Sequence, residues 1–130
     1  MTGTLADHRV VLLVDGGSTH NFVQPTLVTQ LGLPCRSISP LRVMVGNGQH
    51  LDCSAICEGV SILIQDVKFT LDLHVLPIVG ANVVLGVQWL KTLGPILTDY
   101  GSLKMQFFYQ NQLIELKGDT AIDSRFLTHH

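Results

Sequence analysis

Short apolar runs alternate with clusters of turn-forming residues along the chain, and this alternation constrains the fold more than any other feature of the sequence. The runs are rich in β-branched residues, which favour strands, and most are too short for helices. Within Val67–Val75, apolar and polar side chains alternate, which predicts one buried face and one wet face that includes His74. The predicted strands are Arg9–Val14, Leu41–Val45, Leu51–Ile56, Val60–Ile64, Val67–Val75, Ala81–Gly86, Ile96–Asp99, Leu103–Tyr109 and Gln112–Lys117. Turns are predicted at Gln65-Asp66 and Gln110-Asn111.

Helices are predicted at only two short segments. Pro25 begins the first, Pro25–Leu31, and Gly32 ends it, which is the usual asymmetry of helix termini. The second, Val87–Leu93, stops at Gly94-Pro95, and its Trp89 is expected in the core. The sequence therefore predicts an all-β domain with one or two short helices.

Composition excludes several classes of protein. The chain has 130 residues, of which 46% are hydrophobic and 14% charged, so it suits one folded domain rather than a disordered segment. A formal net charge of −2 provides no basic field for nucleic acid, and no apolar run reaches the length of a membrane span. We expect a cytoplasmic protein with a domain at residues 9–117, an N-terminal extension at 1–8 and a flexible tail at 118–130.

Cysteines and histidines show no metal-ligand spacing, so no metal or cofactor is expected. Cys35, Cys53 and Cys57 are expected to be reduced thiols. The six histidines are expected to be scattered polar surface, and His20 is the one near the acidic motif described next.

The sequence Val14-Asp15-Gly16-Gly17-Ser18-Thr19 places an acid at the end of a strand that is predicted to be buried. Rigid backbone would present this carboxylate, the glycines would permit unusual backbone angles, and the two hydroxyls can donate hydrogen bonds to it. One alternative is an Asp-Gly turn in which Asp15 only caps its own loop. Another is a phosphate-binding loop, which the short, mostly β chain and the missing Walker motif disfavour.

Two further motifs follow the acid loop. Gly46-Asn47-Gly48 lies between two predicted strands, and Asn-Gly in that position is a strong hairpin signal. An ordinary surface turn is the alternative interpretation of this hairpin. Farther on, Val84-Leu85-Gly86 ends a strand directly before the second helix.

In this order and spacing, the three motifs resemble retropepsin-like aspartic proteases, specifically those encoded by gypsy-type LTR retrotransposons of plants. The resemblance spans Arg9 to Gly118 and implies a closed, barrel-like β domain that works as a homodimer. The matching stretches are VLLVDGGSTHNFV, LVTQLGLP, LRVMVGNGQHLDC, FTLDLHVLP, ANVVLGVQWLKTLGPILTDY and LKMQF.

The resemblance assigns roles to individual residues. It implies that Asp15 is the catalytic aspartate and that Ser18 can bond its outer carboxylate oxygen. Gly16 departs from the family, which normally has Thr or Ser there to bond the partner chain, a bond worth about 1 kcal/mol. The resemblance assigns Gly16, Gly17, Ser18 and Thr19 to the active-site loop, Met44–His50 to a flap, and Met44, Val45, Gly46, Asn47, Gly48, Val84 and Leu85 to substrate binding.

Peptide hydrolysis by this chemistry needs two carboxylates that share one proton, and the chain has one acid loop of this kind. The second carboxylate is therefore expected from Asp15 of another copy. The predicted function is an aspartic endopeptidase that cleaves an extended peptide of a retroelement polyprotein, without nucleic acid or membrane partners. The alternative is a catalytically weak or inactive member of the fold that dimerises or binds peptides, which Gly16 favours.

Overall fold

Strands dominate the computed structural model, which describes residues 1–45, 48–99, 101 and 104–118. The elements in these residues are β1 (Thr2–Leu5), β2 (His8–Val14), β3 (Phe22–Val23), α1 (Pro25–Leu31), β4 (Arg36–Met44), β5 (His50–Ile64), β6 (Val67–Val75), β7 (Val83–Leu85), α2 (Val87–Leu90), β8 (Ile96–Asp99), β9 (Lys104–Tyr109) and β10 (Gln112–Lys117). A 3₁₀ turn at Lys91–Leu93 continues α2. Both predicted helices are confirmed, and Gly32 ends α1 in the left-handed conformation with φ 63°.

Six strands close into a barrel in the order β1-β2-β7-β3-β6-β5, with β5 pairing back onto β1. The pairs β2–β7 and β3–β6 are parallel, and the other pairs around the barrel are antiparallel. Strand β4 extends from β5 outside the ring, and β8, β9 and β10 form a second sheet. Closure pairs the edges of the sheet, so the predicted all-β, barrel-like fold is confirmed.

The N-terminus differs from the expected extension. Residues Thr2–Leu5 form β1, which pairs with both β2 and β5, and the side chains of Met1 and Leu5 are buried. Ala6 and Asp7 take positive φ values of 49° and 63° in the tight turn to β2. Thr2–Leu5 has too few apolar residues for a strand to be predicted. Its pairing with β2 on one side and β5 on the other stabilises it as a strand. The expected tail lies outside the described residues from 119 onward.

Strand β5 runs continuously where two strands were predicted. A register shift between Cys57 and Val60, with Gly59 at φ 64°, forms an irregularity that β6 still pairs on both sides. The turns predicted at Gln65-Asp66 and Gln110-Asn111 are confirmed, with positive φ at all four residues. Leu103, the predicted first residue of β9, lies outside the described residues.

The expectation of three reduced cysteines is wrong for two of them. Cys35 and Cys57 form a disulfide with a Cα–Cα distance of 4.3 Å, whereas Cys53 is free and buried. Strand β4 begins earlier than predicted, and its first residue, Arg36, pairs with Ile56. Cys35 therefore faces Cys57 across the two strands, a register that the sequence spacing does not indicate.

Two apolar clusters fill the molecule. The larger contains Phe69, Trp89 and Phe107, and the rings of Phe69 and Trp89 meet edge to face with centroids 5.4 Å apart. Trp89 is fully buried, which confirms its predicted place in the core. The smaller cluster includes Phe22 and Val84 and packs against the β4–β5 hairpin. None of the helices in the described ranges is long and apolar enough to cross a membrane.

Candidate active site

Asp15 follows β2 at the point where β2 and β7 end side by side. Val14 pairs with Leu85, and the Asp15 N–H donates to the Leu85 carbonyl at 2.8 Å, so regular strand pairing holds the Asp15 backbone. Asp15 is buried, with only 7% of its surface exposed. Burial of a carboxylate costs free energy unless hydrogen bonds compensate, and the surrounding loop supplies them.

The loop N–H groups point back at Asp15. Gly17 N–H donates to Asp15 Oδ1 at 2.8 Å, and Ser18 N–H donates to the Asp15 carbonyl at 3.1 Å. Asp15 therefore does cap its own loop, as the turn interpretation predicted, and it also faces the cleft described below. Neither Gly16 nor Gly17 has a positive φ, so the expected unusual backbone angles do not occur there.

Ser18 has a different hydrogen-bond partner from the one expected. Its hydroxyl donates to the His20 carbonyl at 2.9 Å, which commits its single proton within the loop rather than to the carboxylate. The carbonyl of Ser18 accepts from Val87 N–H at 2.7 Å, and that of Thr19 accepts from Gln88 N–H at 3.3 Å. The loop thus satisfies free N–H groups at the start of α2, which couples the helix to the acid.

Gly86 allows the loop and β7 to approach each other closely. A Cβ atom there would clash with the His20 carbonyl oxygen and lie 2.6 Å from that of Ser18. The Gly86 N–H donates to Asn21 Oδ1 at 2.8 Å, and Asn21 is buried. The end of β7, at Leu85 and Gly86, therefore packs against the acid loop. Asn21 was missed because a lone Asn in a loop carries no sequence signal.

A cleft of about 760 Å³ opens over Asp15 and extends to the β4–β5 hairpin. It is lined by Asp15, Ser18, Thr19, Met44, Val45 and Val84 of the predicted loop and substrate-binding residues, and by Gln49 and His50 of the predicted flap. Gly16, Gly17, Gly48 and Leu85 do not line it, and Gly46 and Asn47 lie outside the described residues. Leu85 packs in the larger core instead, because neighbouring side chains on β7 point in opposite directions.

The structure adds an aromatic wall that sequence reasoning missed. The rings of His20 and His74 meet edge to face with centroids 4.7 Å apart, and Phe22 lies 6.2 Å from His20. His20 and Phe22 line the cleft, whereas His74 stands behind them and is only 8% exposed. The predicted wet face of β6 is therefore wrong at His74. There β6 pairs with β3, and the His20 and Phe22 rings cover the His74 side chain.

Burial lowers the pKa of both imidazoles below the ordinary value of 6.5, because it disfavours the charged form. The positive charge of His20 lowers the pKa of His74 further, against smaller opposing effects from the Asn21 backbone and Asp72. Nδ1 of His74 is buried with no hydrogen-bond partner among the described residues. Within the same residues, no three His, Cys, Asp or Glu side chains cluster as metal ligands would.

A closed six-stranded barrel with a buried aspartate loop beneath a hairpin defines the retropepsin-like class of domain. The family model for retroviral aspartyl proteases matches residues 3–98, and the chain belongs to this family. The chain is similar in fold to the crystal structure of the retroviral protease-like domain of Ddi1 from Leishmania major. That match has a TM-score of 0.67 and 15% sequence identity, and it covers 89% of each chain. A search of curated proteins finds no match.

Proposed function

We propose that this chain is an aspartic endopeptidase that acts as a homodimer on extended peptides, with a plant gypsy-type retroelement polyprotein as its substrate. The observation that carries the proposal is Asp15 at the floor of a large cleft, held by the Leu85 carbonyl and the Gly17 N–H. Backbone contacts of this kind orient a carboxylate without depending on flexible side chains. Membership of the retroviral aspartyl protease family supports the same activity.

In the proposed dimer, each copy contributes one Asp15 across a two-fold axis. Two carboxylates a few ångströms apart share one proton, because both cannot be ionised at that distance. The ionised carboxylate removes a proton from water as the water oxygen attacks the scissile carbonyl carbon. The protonated carboxyl donates to the carbonyl oxygen, and the leaving nitrogen is then protonated as the C–N bond breaks. The reaction uses the two carboxylates and water.

The β4–β5 hairpin acts as the flap in this proposal. Val43 and Val45 of the hairpin line the cleft together with Leu76 and Ile78 from the loop after β6. These apolar side chains suit the alternating side chains of an extended peptide, whose backbone would pair with the hairpin as an added strand. Closure would exclude water other than the attacking molecule from the acid pair.

A second candidate function is a catalytically inactive peptide-binding or dimerisation module of the same fold. Gly16 favours it, because the loop lacks the hydroxyl that normally joins the two copies. The matched structure from Leishmania major carries the description "protease-like". The two candidates share the cleft and differ in whether bound peptides are cleaved.

Digestion of casein and of a retroelement polyprotein at pH 4–6 tests the proposal, with and without an aspartic-protease inhibitor. Asp15→Asn has nearly the same shape but cannot activate water, so we expect its cleavage to fall to background while the fold persists. Asp66→Asn, in the exposed β5–β6 turn, is the matched control and should cleave normally. Cleavage by Asp15→Asn near the wild-type rate contradicts the proposal. Peptide binding by a wild-type protein that does not cleave favours the inactive module.

A further inference from the structure

The aromatic wall formed by His20, Phe22 and His74 has no role in the reaction proposed above, although His20 lines the same cleft as Asp15. Phe22 and His74 are neighbours in the β3–β6 pairing, and His20 packs against both rings. The rings of Phe22 and His74 support the His20 ring, part of which faces the cleft. A side chain held in this way recognises a ligand with little loss of rotamer freedom.

The charges along the cleft are unevenly distributed. Among the described residues that line it, Asp15 is the one acidic residue, whereas Arg42, His20 and His50 are basic residues. Two carboxylates lie near these groups without lining the cleft. Asp52 pairs with Arg42 across β4 and β5, and the charge of Asp72 on β6 acts on His74. The part of the cleft at His20 therefore favours a negatively charged ligand group when His20 is protonated.

We propose that His20 is a specificity-determining residue that selects peptides with a Glu or Asp side chain seated against it, with His74 supporting its ring. This inference rests on the proposed peptide-binding cleft. A substrate carboxylate beside His20 favours the imidazolium form, so His20 takes up a proton as an acidic peptide binds. Because the charge of His20 opposes protonation of His74, the pair takes up the first proton more readily than the second.

The preference should depend on pH in a defined window. A peptide Glu is ionised above about pH 4.3, while free imidazole is protonated below about pH 6.5. Burial lowers the pKa of His20 in the free protein, so at neutral pH the cleft offers a neutral ring. Selection of acidic peptides should therefore be strongest between about pH 4.5 and 6 and weak above pH 7.

Binding is tested separately from cleavage by NMR titration of histidine-labelled Asp15→Asn protein. The probes are two pools of capped random decapeptides that differ only in carrying Glu or Gln. We expect the Glu pool to raise the pKa of His20 and the Gln pool to leave it unchanged. Equal effects of the two pools, or binding of neither, overturn the inference. A rise with the Glu pool, together with no cleavage by the wild-type protein, supports the acidic subsite and contradicts the endopeptidase.

Cleavage profiling on the same pools provides the second test. At pH 5.5 we expect kcat/KM for Glu peptides to exceed that for Gln peptides about fivefold, as one partly exposed charged hydrogen bond allows. The ratio should approach one at pH 7.5, and also at pH 5.5 in His20→Gln. His8→Gln, outside the cleft, is the matched control and should keep the ratio. Cleavage with no preference for Glu overturns the subsite and leaves the endopeptidase standing.

Discussion

Single residues determine whether the acid loop can form, and Gly86 is the most constrained of them. An added methyl group meets backbone oxygens of the loop, which cannot move aside as a flexible side chain could. We expect Gly86→Ala to lower the free energy of unfolding by about 3 kcal/mol, typical of overpacking at a rigid site.

Gly16→Ala is the matched control for this substitution, measured by urea denaturation. Its Cβ atom would meet nothing closer than Leu90 Cδ1 at 3.9 Å, and Gly16 has no positive φ. We expect a change within about 0.5 kcal/mol, as at ordinary surface positions. Equal losses in the two variants would show that Gly86 does not limit the approach of the loop.

Gly16 also permits a test of the proposed dimer. A Cβ atom has open space at Gly16, so Gly16→Ser supplies the hydroxyl that the family resemblance expects to bond the partner chain. One added hydrogen bond of about 1 kcal/mol should lower the dimer dissociation constant about fivefold. Analytical ultracentrifugation measures this constant, with Gly16→Ala as the control that lacks the hydroxyl. An unchanged or weaker Gly16→Ser dimer would show that the two loops meet differently.

At the scale of structural elements, the β4–β5 hairpin is the flap of the proposed active site. Gly48 has φ 84°, and its N–H donates to the Val45 carbonyl at 2.9 Å, so the turn uses a conformation that alanine resists. We expect Gly48→Ala to lower kcat/KM while reducing stability by only about 1 kcal/mol. Gly46, the other glycine of the predicted Gly46-Asn47-Gly48 turn, lies outside the described residues.

Gly59→Ala is the matched control for the hairpin variant. Gly59 also has a positive φ, 64°, and open space around it, but it lies at the β5 irregularity and does not line the cleft. Steady-state kinetics and thermal melts of both variants separate strain from function. If both lose kcat/KM equally, or neither does, the hairpin tip has no specific role in catalysis.

Local sequence signals predicted the turns between strands but not the length of every strand. The turns at Gln65-Asp66 and Gln110-Asn111 were correctly predicted, and Asp66 and Asn111 are residue types that tolerate positive φ. The length of β4 depends instead on its pairing with β5. The Cys35–Cys57 disulfide follows from that pairing, so neither was evident from the sequence.

At the scale of the whole molecule, the imidazole pair couples stability to pH. Folding lowers the pKa of His20 and His74, so the unfolded chain binds more protons below about pH 6.5. The contribution of this pair therefore makes the free energy of unfolding fall as the pH is lowered from 7 to 5. Urea denaturation of wild-type protein and of His74→Phe measures it, and the variant should show a smaller decrease.

His8→Gln is the control for this pH series, because His8 is exposed and does not line the cleft. Its decrease between pH 7 and 5 should match that of the wild-type protein. A His74→Phe variant with the full wild-type decrease would show that the acid sensitivity arises elsewhere in the molecule.

The sequence alone determined the all-β class, the two helices, most turns and the position of Asp15 at the end of a strand. These features depend on backbone preferences and side-chain alternation over a few residues, and such local properties do not require tertiary neighbours. The order and spacing of the acid loop, the hairpin and Val84-Leu85-Gly86 also indicated the family, because both are properties of the sequence itself.

Only the tertiary structure decided the features that depend on which strands become neighbours. Pairing with both β2 and β5 makes a strand of Thr2–Leu5, and the covering rings of His20 and Phe22 bury His74 against the β6 alternation. The approach of the acid loop to β7 brings Ser18, Asn21 and Gly86 into one hydrogen-bonded unit. Such contacts join residues far apart in sequence, and their free energy appears only when the barrel closes.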